Sequence, residues 1–71
     1  MSINENKEIP IGLAMKLALN EYAMEYYSGL DEITEDKITN FVQSGNDGFE
    51  TKDRINKAVK EMAENRTDFL D

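Results

Sequence analysis

A chain of 71 residues with eight basic and fifteen acidic side chains, a formal net charge of −7, has room for one small domain and repels nucleic acid and anionic lipid. It has no cysteine and no histidine, which excludes disulfides and nearly excludes a site for zinc or another soft metal. A domain of this size buries only about 60% of the surface its unfolded chain exposes, so packing and association are its remaining sources of stability.

Residues 1–8 read as a flexible N-terminal tail, polar apart from Met1 and Ile3, with no basic start and apolar run of the kind that marks a signal peptide. The apolar-rich stretch from Ile9 to Leu30 contains Lys16, Glu21 and Glu25, which make it costly in a bilayer. A cytoplasmic location, with no membrane and no nucleic acid as partner, is therefore expected.

Pro10 opens the first element, because its fixed φ suits a first helical turn and its missing N–H has no partner there anyway. Strong helix formers follow, and Gly29 is a natural stop, so the sequence predicts one helix over residues 10–28. The second helix is predicted over residues 35–44. Thr34 is its expected N-cap, Glu35 and Asp36 suit the dipole, and Ile33 and Ile38 stand at the spacing of a hydrophobic staple. Ile38, Phe41 and Val42 supply its apolar face, and the run from Ser44 to Gly48 ends it.

The third helix is predicted over residues 51–65, capped either by Thr51 or by Asp47 with Glu50 three residues on. Ile55, Val59 and Met62 form its stripe, while Ala58 and Ala63 permit close approach. Residues 66–71 read as a C-terminal tail, and whether Phe69 and Leu70 fold back onto the bundle is left open. No β-branched alternation argues for strands. The expected fold is all-α, a small three-helix bundle over residues 9–65 with short flexible termini.

On a helical wheel the first helix is apolar over an arc of roughly 220°. Met15, Leu19, Tyr22, Ala23, Tyr26 and Leu30 form one lobe, and Leu13, Leu17, Met24 and Tyr27 form another. Lys16 and Asn20 lie between them. A central helix in a bundle buries such an arc against two neighbours. The alternative is that one lobe packs internally while Leu13, Lys16, Leu17, Asn20, Met24 and Tyr27 form a candidate interface with a second copy or another protein. Asn20 stands at heptad spacing in that seam, where it either sets a pairing register or bonds a carbonyl inside the monomer; the second is expected.

Catalytic signals are missing. Without histidine and cysteine the usual nucleophile–base pairs cannot be assembled, and Asp31, Glu32, Glu35 and Asp36 are explained as charges around a helix start. Asn46-Asp47-Gly48 fails the spacing of a calcium loop, because Gln43 and Arg54 would fall at its first and twelfth positions. Gly45 and Gly48 lack the Lys and Ser/Thr of a phosphate loop. No catalytic residue, metal ligand or cofactor is assigned. The expected function is a non-enzymatic interaction or structural module, self-associating or docking a partner. The alternative is an acidic inhibitor or decoy that docks a basic, nucleic-acid-binding protein.

The run from Ile9 to Asn20, with Ala23-Met24 and Tyr27, resembles the opening of a group of small uncharacterised Firmicutes helical proteins, and Thr34 to Met62 resembles their later part. More weakly, residues 34–65, through Glu50 to Val59, are similar to the helical tail of the YdeI/OmpD-associated, bacteriocin-protection-like proteins. Lys52 replaces the first arginine of that tail's Thr-Arg-x-x-Arg-Ile segment. The resemblance implies a compact helical module with no assigned activity and carries over no catalytic residue.

Overall fold

A computed structural model describes residues 9–70 and is all-helical, with no strand among the described residues. Four α-helices follow one another: α1 (Ile11–Ala18), α2 (Glu21–Ser28), α3 (Glu32–Gln43) and α4 (Gly48–Ala63). A short 3₁₀ turn, Asp68–Leu70, comes last. The expected tail at residues 1–8 lies outside the described residues.

The single helix expected over residues 10–28 is therefore two, and the three-helix expectation becomes four helices. The break has a local cause. Asn20 leaves the helical region at φ −130°, ψ 99°, and its side-chain oxygen accepts from the Ala23 N–H at 3.1 Å. Asparagine competes with the helix ladder in this way, which makes it unfavourable inside a helix and good at its start. Leu19 and Asn20 close α1 by donating to Lys16 and Leu17 carbonyls, both at 3.1 Å. Asn20 thus accepts from a backbone N–H ahead of it, where donation to a loop carbonyl was expected.

The cap of α3 is also displaced. Asp31, not Thr34, is the N-cap, and its carboxylate accepts from the Thr34 N–H at 3.1 Å. Thr34, through its hydroxyl and then its backbone N–H, holds the Asp31 carboxyl below its usual range. With the start moved three residues upstream, Ile33 no longer precedes the cap. It is exposed while Ile38 is fully buried, so the staple does not form.

At α4 the Asp47 alternative is the one adopted. Asp47 accepts from Glu50 N–H at 2.9 Å, and Glu50 reaches back to the Asn46 N–H at 2.6 Å, one residue before the cap. Gly45 is needed beside this box for closeness, since an added Cβ would lie 2.6 Å from Thr51 Oγ1 and 2.8 Å from Thr51 N. At the other end Asn65 adopts φ 62°, Asn65 N–H donates to Met62 O and Arg66 N–H to Glu61 O, both at 2.9 Å. These two bonds are a Schellman cap, and they turn the chain back across the bundle.

The hub is α4, which packs against α1, α2 and α3. Its stripe of Ile55, Ala58, Val59 and Met62 meets Leu13 and Leu17 from α1, Ala23 and Tyr27 from α2, and Ile38 and Val42 from α3. α1 and α2 have eight residues each. Isolated helices below about 12–15 residues are marginal in water, so both depend on this docking. The C-terminal segment joins the core too: the Phe69 ring meets Phe41 edge-on at 5.2 Å between centroids, and Leu70 is half-buried. Arg54 lies over the other partner, 4.9 Å from the Phe41 ring centre, and donates to the Phe41 carbonyl at 3.0 Å.

Two leucines, Leu17 in α1 and its C-cap Leu19, give the sharpest stability test, because Leu17 is 1% and Leu19 83% exposed. Leu17→Ala is expected to cost about 2–5 kcal/mol in a denaturant titration, enough to unfold a domain this small. Leu19→Ala is expected to stay within about 0.5 kcal/mol. Equal losses at the two positions would contradict the packing of α1. Gly45→Ala is expected to lose about 1–3 kcal/mol by crowding Thr51, read in the same titration.

Candidate functional site

The six residues of the sequence-derived interface separate in the folded chain. Leu13, Leu17 and Tyr27 are buried core, so they have no surface to offer a second molecule. Asn20 is engaged as the cap of α2. Only Lys16 and the partly exposed Met24 face solvent, and each borders a different groove. The expected seam therefore corresponds to no continuous surface.

The outward face of α1 takes its place. Ile11, Met15 and Leu19 succeed one another at i+4 spacing and are 77%, 63% and 83% exposed, with Ala18 exposed beside them. On a wheel for one continuous helix, Met15 and Leu19 share a lobe with Ala23. The break at Asn20 ends that phase relation, since α2 starts afresh and buries Ala23 and Tyr27, one from each lobe. Within α1 every side chain except Lys16 is apolar, so no polar pattern marks which face turns inward. The usable signal was Asn20 itself, read as a cap.

Both edges of this face are polar, and they differ in sign. Toward α4, an open groove of about 400 Å³ is lined by Lys16, Leu19, Asn56, Lys60 and Glu64 among others. The Glu64 carboxylate is paired with Arg66, so the two lysines set the sign of this edge. On the opposite side, an open groove of about 420 Å³ runs past Ala18 and Met24 and is bordered by Glu21 and Glu25.

Charge is also segregated along the chain. Residues 21–36 carry six carboxylates and no cation, while the rest of the chain holds nine acidic against eight basic residues. Nearly the whole net charge lies on α2 and the first turns of α3. Burial raises the Tyr27 phenol above its ordinary pKa, and the nearby charges of Glu35 and Asp36 raise it further.

Among the described residues, no three acidic side chains are grouped to hold a metal ion, and no helix is long and apolar enough to cross a membrane. In comparisons with known proteins, no family model matches the chain, and no curated protein or solved structure matches it either.

Since the neutral Tyr27 phenol is favoured in the fold, its contribution to stability is complete below the ordinary tyrosine range and is lost as pH rises through the raised value. Subtracting the ultraviolet pH titration of Tyr27→Phe from that of the unaltered chain is expected to isolate a phenol ionising above 10.0, the ordinary value. A difference curve centred at or below that value would show that Tyr27 is not buried near Glu35 and Asp36 as the fold places it.

Proposed function

We propose that the protein is a non-enzymatic interaction module whose docking surface is the outward face of α1. One observation carries this reading: α1 is apolar but for Lys16, with Leu13 and Leu17 buried and Ile11, Met15 and the C-cap Leu19 bare. A helix apolar all round belongs in a buried position, and each large side chain covered on association contributes on the order of 1.5–3 kcal/mol. Contiguous exposed apolar surface on a small protein commonly marks a contact site. A cytoplasmic setting belongs to the same reading, supported by a chain that relies on packing, without cysteine, for its stability.

A second reading has its own support. The six carboxylates of residues 21–36, with no cation among them, suit an acidic decoy for a basic, nucleic-acid-binding surface. Such binding would weaken steeply with salt, whereas docking through α1 would persist.

Affinity capture from the native cell tests both. The docking reading expects a protein, either this chain itself or another, that is retained by the unaltered bait and lost with Met15→Glu/Leu19→Glu. The decoy reading expects a basic partner lost instead with Glu21→Gln/Glu25→Gln/Glu35→Gln and with added salt. Retention identical for the bait and its α1 variant would sink the docking reading.

A further inference from the structure

The geometry points to a second copy of this chain as the occupant of the α1 face, packed as a two-fold dimer with the two α1 helices parallel. This rests on the docking reading above and deepens it by naming the partner and its orientation.

The argument is one of sign and symmetry. Ile11, Met15 and Leu19 run down the middle of the face; Lys16 and Lys60 border one long edge, Glu21 and Glu25 the other. A symmetric pair uses the same patch twice, and its two-fold axis lies in the plane of contact. If that axis runs along α1, the helices are parallel and the basic edge of each copy meets the acidic edge of the other. If it runs across α1, the helices are antiparallel and lysines oppose lysines while carboxylates oppose carboxylates. Like-charge juxtaposition of this kind is costly, so the charge pattern selects the parallel pair.

The remaining charge does not oppose the contact. α1 itself carries Lys16 and no carboxylate. Of the six acids of residues 21–36, Glu21 and Glu25 form the acidic edge, and the other four are Asp31, the cap of α3, and Glu32, Glu35 and Asp36 in its first turns. Two chains of net charge −7 therefore meet through a helix that carries no carboxylate of its own. Exposed Ala18 adds no bulk between the helices, which allows their backbones to approach.

The chain has no cysteine, so single-cysteine variants read the orientation directly. Ile11 and Leu19 are eight residues apart, about 12 Å along a helix, which separates the two arrangements cleanly. The parallel dimer expects Ile11→Cys and Leu19→Cys each to form a disulfide with its own kind under mild oxidation, and exposed Phe49→Cys, as control, to do so far less. Sedimentation of the unaltered chain is expected to show monomer and dimer exchanging at micromolar concentration, and Met15→Glu to be monomeric with unchanged helix content. Lys16→Glu/Lys60→Glu is expected to weaken the dimer about tenfold, and adding Glu21→Lys/Glu25→Lys to recover most of that loss, as paired charges of modest individual worth should.

A mixed Ile11→Cys/Leu19→Cys link in place of the two self-links overturns the parallel arrangement. A chain that stays monomeric to about 1 mM, four kcal/mol of binding free energy in the scale of dissociation constants, overturns the dimer. If in that case Met15→Glu/Leu19→Glu still abolishes capture of a different protein, the docking reading stands without the dimer. Failure of both assays removes the two together.

Discussion

The arrangement of the whole chain depends on one capped turn, where the Asn20 side chain takes the Ala23 N–H at 3.1 Å and ends a helix that its neighbours would have continued. A continuous helix over residues 10–28 would present one straight apolar arc. Broken at Asn20, the same residues become two eight-residue helices that approach α4 independently. Each can then choose which of its apolar sides to bury. α1 buries Leu13 and Leu17, α2 buries Ala23 and Tyr27, and the side of α1 carrying Ile11, Met15 and Leu19 is left outward.

The other three helices all dock on α4. It is the longest helix, with 16 residues, and is held at both ends by complete caps, the Asp47–Glu50 box and the Asn65 Schellman turn. Capping matters more here than in a larger domain, because each cap is worth on the order of 1 kcal/mol and the total margin of a small domain is a few. The Schellman turn also extends the core, since it returns Phe69 to Phe41, which Arg54 contacts as well. No buried side-chain polar atom among the described residues lacks a hydrogen bond, so the interior carries no desolvation penalty that further contacts would have to offset.

Surface chemistry follows from the same layout. A net charge of −7 spread evenly would oppose any association between copies, yet six of the acids are confined to residues 21–36. α1 is thereby left nearly free of charge, with lysines along one edge and glutamates along the other. Apolar attraction and charge order thus act on one small surface. Apolar area drives contact without direction, while the two edges of opposite sign give the contact an orientation.

Composition and periodicity by themselves determined the helical class, the approximate positions of α3 and α4, the stripe of Ile55, Val59 and Met62, and the apolar excess of the first segment. They did so because repeating apolar spacing and capping residues act over a few neighbouring positions. Cap registers were less legible: Asp31 and Thr34 are both acceptable caps by residue type, and the fold uses the upstream one. Which face of α1 is core was decided by tertiary structure alone. With a single polar side chain in eight residues, its sequence holds no preference between Leu13–Leu17 and Met15–Leu19. The choice fell to the direction in which the Asn20 turn delivers α1 to α4, and a wheel drawn through that turn assigned the interface to residues that the fold buries.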